Sequence, residues 1–458
     1  MKNYQVCFAE DIFLTNWSTI PHWDHAHDAL ETLSVILPSF LLTYISVNVS
    51  SALFSRKDYV KRFVLDLFAI TLPVILMTTV LFPYVDKVSL GLALLSVGLC
   101  FGTRGMINAF REVVKDDGSD LGRKSFVTNA RSTINVLTAV AILGIDFKLF
   151  PNQFHKTKKY GISLMDVGVG LYVYANGIVA PEIRGHKGTL LKTILNVLPL
   201  LVIGVLRFVI THEIDYHVSV TEYGVHWNFF ITLAVTKLVS ALIMLPIRNS
   251  FTSCAILGFA VLGLHQAGLY WVLEDWVFSG AARSNFLEAN REGVVSSIGY
   301  VGLYFLSVAF GFVLHGRNKQ KTRLLGELFS CVLFVAVCTV LLHSWFNISR
   351  CLANSTYCLW VLFIGVLMTT LYYFLENFLR FFYTNVENVI HVPFIFDAIN
   401  YNGLTFFLVA NLLTGFVNIV FKTKSITDPY SLLILTIYMT VTNFVVCLLH
   451  VKKIKLKL

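Results

Sequence analysis

Uninterrupted apolar runs constrain this sequence more than any other feature. Segments 189–210 and 430–451 are nearly free of charge. A helix needs about 20 mainly apolar residues to cross roughly 30 Å of hydrocarbon. Soluble domains carry about 25% charged residues and interrupt their apolar residues with polar faces. Here 14% of the 458 residues are charged and 56% are hydrophobic, and the runs are unbroken. That excludes a soluble multidomain enzyme, a disordered chain and a disulfide scaffold. The runs are too long and alternate too little for a transmembrane β-barrel. The expected fold is all-α, a polytopic transmembrane helical bundle.

About thirteen spans are predicted. They lie near 32–54, 63–82, 86–103, 132–149, 162–180, 189–211, 227–245, 251–273, 293–315, 324–346, 357–379, 404–421 and 429–451. The third is short and Gly-rich, so the count ranges from twelve to fourteen. An odd number puts the termini on opposite sides. Lys452, Lys453, Lys455 and Lys457 place the C-terminus in the cytosol by the positive-inside bias, and the N-terminus then faces the lumen. Under this orientation 22 of the 36 Lys and Arg fall in cytosolic segments and 11 on the other side, counting Lys87 and Lys148 at span ends there, with Lys192, Arg207 and Lys237 deeper inside spans. The net charge of +9 is thus a topology signal and does not imply nucleic-acid binding. Sequons at Asn16, Asn347 and Asn354 all land on the predicted lumenal side and are glycosylation candidates. The expected organisation is a lumenal tail over 1–31, one transmembrane domain over 32–451 and a basic cytosolic C-terminus over 452–458. No cleavable signal peptide is visible, because residues 1–28 hold Glu10, Asp11, Asp24 and Asp28 and no apolar core.

The eight cysteines show no metal spacing, and Cys351 and Cys358 in one lumenal loop are either a pair or two thiols. His22, His25 and His27 with Asp24 and Asp28 look metal-like but sit on a tail, so no metal is implied. Lys237 in mid-span either snorkels or pairs with an acid, and His265 reads as a satisfied buried histidine. No internal repeat of the kind common in secondary transporters is apparent.

The segment between spans four and five runs against the charge rule. It holds Lys148, His155, Lys156, Lys158 and Lys159, yet parity places it in the lumen. Either neighbouring loops outvote it, or it meets an anionic group such as a lipid phosphate. Asp146 lies within the apolar run 139–150, about one turn inside the end of span four, and Asp166 opens span five at similar depth. An intramembrane carboxylate is costly and normally faces a cavity or a partner. The pair is either a functional site or an Asp–Lys contact that joins two helices. Gly168 and Gly170 would let a neighbour approach span five closely.

These segments resemble one family. The residues that carry the likeness are Phe126-Val-Thr-Asn-Ala-Arg131-Ser-Thr, Ala141-Ile-Leu-Gly-Ile-Asp146-Phe, Phe150-Pro151, Lys156 and Tyr160-Gly161-Ile-Ser-Leu-Met-Asp166-Val-Gly-Val-Gly170. Asn290-Arg-Glu-Gly293, Gly299-Tyr300 and the run from Phe407 through Asn411 to Asn418 are also similar. The family is that of the inositol acyltransferases of glycosylphosphatidylinositol (GPI) anchor biosynthesis, and the likeness is densest over 126–181.

The resemblance implies a multi-pass enzyme of the endoplasmic-reticulum membrane. It would move a fatty acyl chain, typically palmitoyl, from acyl-CoA to the inositol of glucosaminyl-phosphatidylinositol. It also implies Asp146 and Lys156 as the catalytic pair. Arg131, His155, Lys158, Asp166, Asn176 and Asn411 are candidates for substrate binding. Acyl-CoA enters as a co-substrate, with no permanently bound cofactor and no obligate protein partner expected. Direct transfer fits these residues, since 126–181 contains no cysteine. The rival reading is a lipid transporter or flippase that gates through Asp146 and Lys156.

Overall fold

The computed structural model describes residues 24–111, 124–185, 190–213, 220–315, 321–382 and 390–456. Among these the secondary structure is helical throughout, with no strand. The chain opens with α1 (Asp24–Ile36) and α2 (Ser39–Leu53), joined by a tight turn at Pro38. Helix therefore begins within the expected tail, where the His27 ring lies 3.4 Å from Glu31 one turn on. Then come α3 (Tyr59–Asp66), a π-helical turn, α4 (Leu72–Met77) and α5 (Val85–Arg111). The centre holds α6 (Ser125–Gly144), α7 (Leu164–Gly177), α8 (Leu190–Glu213), the short α9 (Val220–Tyr223) and α10 (Phe229–Met244). Next are α11 (Phe251–Gly268), α12 (Glu274–Phe278), α13 (Phe286–Ala289) and α14 (Arg291–His315). The chain closes with α15 (Lys321–His343), α16 (Ser355–Phe382), α17 (Phe394–Tyr401), α18 (Gly403–Val420) and α19 (Asp428–Val451).

Among the described residues, eleven helical stretches are long and apolar enough to cross a membrane. Two further spans expected from the sequence appear in other forms. Helix α10 is apolar but only 16 residues long. The second span is split into α3 and α4 by the π turn Leu67–Thr71. The acidic segment Asp116-Asp117-Gly-Ser-Asp120, Asn16 and most of the 317–323 basic cluster lie outside the described residues.

Burial separates inner from outer helices. Of the apolar windows of α6 and α14, 83% is buried, against 17% for that of α8 and 22% for that of α15. The core is thus α6, α7, α14 and α16, ringed by helices whose apolar side chains face outward. Small residues set the inner spacing. A Cβ on Gly170 would lie 2.8 Å from Val361 of α16, and one on Gly177 would lie 2.4 Å from Ser307 of α14. Gly168, by contrast, makes only ordinary contact with Thr138.

The same close packing seats the loop between α15 and α16 under α14. Ala353 adopts the left-handed conformation (φ 44°), and its carbonyl points at Gly299, where a Cβ would sit 2.0 Å away. His265 of α11 bonds the neighbouring Leu352 carbonyl at 2.9 Å, which makes it a structural histidine. We expect Gly299→Ala to cost about 1–3 kcal/mol, the usual penalty for overpacking. Thermal unfolding of the detergent-purified protein measures this; an unchanged midpoint would mean that the loop is not held here.

Candidate active site

Three connecting segments meet at one end of the bundle: 145–163 between α6 and α7, the α9 segment, and 344–354 between α15 and α16. Helix α6 stops at Gly144, where the Phe150 ring leaves no room for a Cβ. The chain then turns through Asp146. The sequence expectation is corrected at this point: Asp146 is not inside the span but just beyond its end, half-buried at the mouth of the bundle. One carboxylate oxygen accepts a hydrogen bond from Asn418 of α18 at 2.7 Å. Asn418 in turn accepts from Thr423 at 3.3 Å. Burial pushes the Asp146 carboxyl above its usual range, against the Asn418 bond and the charges of Lys156, Lys424 and His155. Burial likewise lowers the His155 imidazole, and its Nε2 is buried without a hydrogen-bond partner among the described residues.

Lys156 reaches towards a different acid. Its Nζ lies 2.7 Å from Glu222 of α9. Glu222 is also 3.6 Å from Nη1 of Arg350, whose Nε bonds Asp166 at 2.9 Å. Asp166 further accepts from Ser163 Oγ at 2.8 Å and from the Thr157 amide at 3.2 Å. Charges therefore alternate along Lys156, Glu222, Arg350 and Asp166. Burial alone would push the Glu222 carboxyl up, but the Lys156 and Arg350 charges outweigh it and hold the group below its usual range.

Asp166 is thus neither a mouth residue nor the partner of a lysine. At 1% exposure it is wholly engaged by protein groups and offers no face to a ligand. Neither Glu222 nor Arg350 was singled out from the sequence, because both lie in loops whose partners are about 65 to 185 residues away in sequence.

The loop motifs have structural work in this frame. Asn290 is fully buried; its Oδ1 accepts from the His226 amide at 2.8 Å, and Val225 N bonds Ala289 O at 2.9 Å. Together they fix the segment carrying Glu222. Ser349 Oγ donates to Lys159 O at 2.6 Å, and the Gly161 amide donates to Ile348 O at 2.9 Å. Cys351 and Cys358 are separate thiols, donating to the carbonyls of Lys158 (3.3 Å) and Ala353 (3.3 Å). Lys158 lies exposed at the rim.

The remaining candidates lie elsewhere. Arg131 and Asn176 line a cavity of about 190 Å³ in the other half of the bundle, with Asn135, Asn196, Thr236, Lys237 and Tyr304. Thirteen helical residues separate Arg131 from Gly144, roughly 20 Å along α6. The candidates for substrate binding therefore fall in separate places. Buried Asn135 Oδ1 and Thr236 Oγ1 have no hydrogen-bond partner. Arg131 bonds the Ala175 carbonyl and Asn400. Asn411 sits on α18 between the two ends and donates to Phe407 O at 2.8 Å. At the sequons, Asn347 is exposed, whereas Asn354 is buried and its amide is spent on Asn347 O at 2.7 Å. The Asn354 expectation is corrected accordingly, because the folded loop leaves that amide no free face.

A helical membrane protein with a half-buried acid and a paired lysine at one mouth is the class this geometry defines. The GWT1 family model matches residues 26–449, and the chain belongs to that family, the GPI inositol acyltransferases its motifs resemble. An uncharacterized Arabidopsis thaliana protein is 33% identical over 86% of this chain and 88% of its own. A Candida glabrata protein named GPI-anchored wall transfer protein 1 is 32% identical over 74% of this chain and 77% of its own. A Bos taurus protein named glucosaminyl-phosphatidylinositol-acyltransferase is 28% identical over 91% and 92%. The protein is accordingly an acyltransferase.

Arg350 is the cation on which the charge chain depends. Removing one partner of a buried pair typically costs about 3–5 kcal/mol, because the other charge is left unpaired. Arg350→Ala leaves Asp166, whose side chain is 2% exposed, without its cation. We expect a loss of that size in thermal unfolding; an unshifted midpoint would show that the pair holds nothing together.

Proposed function

We propose that the protein moves a fatty acyl chain, with palmitoyl preferred, from acyl-CoA to an inositol hydroxyl of glucosaminyl-phosphatidylinositol. The reaction would take place at the lumenal mouth of a thirteen-span bundle in the endoplasmic-reticulum membrane, with the N-terminus lumenal and the C-terminus cytosolic. Family membership and the bovine relative's name support the reaction. The eleven long spans together with α10 and the α3–α4 helix support the count. Exposed Asn347 is the glycan acceptor this orientation favours.

The observation that carries the reading is the state of Asp146. A carboxyl raised by burial accepts a proton near neutral pH better than an ordinary one. Asn418 holds one of its oxygens, and the other makes no hydrogen bond to the described residues. That oxygen takes the proton of the inositol hydroxyl as the alkoxide attacks the thioester carbonyl. Charge then builds on the carbonyl oxygen, where the Lys156 ammonium stabilises it. Collapse breaks the C–S bond, and the CoA thiolate leaves, taking a proton from Lys156 or solvent. Lys158 at the rim attracts the phosphate of the lipid head group, and the His155 ring offers a hydrogen-bonding group to it. Arg131 and Asn176 bind substrate in the second cavity, away from the reacting atoms. The transporter alternative required an Asp146–Lys156 gate; Lys156 is instead paired with Glu222.

Asp146→Asn tests the reading. Because burial disfavours the ionised carboxyl, the neutral amide removes a cost of folding, and its oxygen still accepts from Asn418. The variant should therefore fold at least as well as the wild type while losing acyl transfer. Thiol release from palmitoyl-CoA with glucosaminyl-phosphatidylinositol as acceptor, together with thermal unfolding, checks both halves. A folded Asp146→Asn protein of normal activity would remove Asp146 as the base.

A further inference from the structure

We propose that Glu222 is a positioning residue for acyl transfer, holding the Lys156 ammonium where the oxyanion develops. The proposal rests on the reading of Lys156 given above. The Lys156 side chain is long, and 34% of it is exposed, so nothing intrinsic to it fixes where its charge sits. A catalytic donor must be held closely, since a displacement of about 1 Å can cost about a hundredfold in rate.

Two restraints act on this lysine, and both lead back to Arg350. At the ammonium, Glu222 Oε1 lies 2.7 Å away and is itself 3.6 Å from Arg350. At the backbone, the amide of the next residue, Thr157, donates to Asp166, which Arg350 holds at 2.9 Å. Glu222 is well placed to act as a fixed anchor. Its side chain is 17% exposed, and the Ala289 and Asn290 contacts pin the residues that follow it. The Arg350 guanidinium lies over the ring of Tyr223, the next residue, at 5.9 Å. Lys158 is exposed at the rim, and Lys159 lies over the Phe278 ring at 5.2 Å.

The arrangement predicts a specific kinetic pattern. Glu222→Gln removes the charge that holds Lys156 but leaves Lys156 in place. In the full-length purified protein, with palmitoyl-CoA and glucosaminyl-phosphatidylinositol, kcat should fall about tenfold to a hundredfold. KM should change by less than about threefold, as expected for an interaction that matters in the transition state. Glu222→Asp keeps the charge with a shorter reach and should recover part of the lost kcat. Lys156→Ala should be slower still, and the double variant with Glu222→Gln no slower than Lys156→Ala alone, because coupled residues are not additive. Lys159→Ala should leave kcat unchanged.

Wild-type kcat in folded Glu222→Gln would overturn the proposal, as would losses that multiply in the double variant. If Glu222→Gln does not fold, Glu222→Asp decides: a folded Glu222→Asp with wild-type kcat overturns the proposal, and a lowered kcat with unchanged KM supports it. A Lys156→Ala protein of normal kcat would instead remove Lys156 from catalysis, and the role of Glu222 with it.

Discussion

A single buried guanidinium organises the mouth of this bundle. The Arg350 side chain is 4% exposed, a position in which a lone charge would be prohibitively costly. Asp166 and Glu222 offset that cost from two sides, and each belongs to a different segment of chain. Because the cation must keep both acids, the α9 segment, the start of α7 and the loop before α16 are held in one arrangement. The glycines and the left-handed Ala353 make that arrangement sterically possible, since Gly299 admits the Ala353 carbonyl. Charge pairing and close packing thus impose the same constraint on the 344–354 loop.

Function follows from what this frame leaves unpaired. The ionic chain ends in Lys156, at the edge of solvent, whereas Asp146 stands apart with only Asn418 on one of its oxygens. An acid that is desolvated but not neutralised by a close cation is suited to take a proton. A cation held by an acid at the mouth is suited to meet a developing negative charge. Separation of the two is useful, because a direct Asp146–Lys156 pair would quench the base.

The sequence makes the architecture legible because membrane crossing imposes a length and a polarity that no packing detail can disguise. It also draws attention to the segment around Asp146, through an acid near the end of a span and basic residues on the side where the charge rule disfavours them, whereas the choice of Asp146 and Lys156 as a pair is what the family resemblance implies. Depth was harder to read. The apolar run continues to Phe150, so the pattern places Asp146 inside the helix, yet the Phe150 ring folds back on Gly144 and ends it earlier. Arg350 and Glu222 are illegible for another reason. Each is an ordinary charged residue in a segment that connects helices, and only the fold brings them together. Likewise only the fold shows that Arg131 of α6 and Asn176 of α7 line a cavity in the other half of the bundle.

The central claim is that Asp146 works as a base whose proton affinity burial has raised. The pH dependence of kcat/KM reports the ionisation of groups in the free enzyme. A base acts only when deprotonated, so activity should fall as pH drops through the folded-state pKa of Asp146. Burial sets that value above the ordinary range for aspartate, about 3.9. The account therefore predicts an acid limb displaced upward from about 3.9, towards neutrality. A kcat/KM that stays constant down to the ordinary carboxylate range, measured on protein shown to remain folded at each pH, would contradict it.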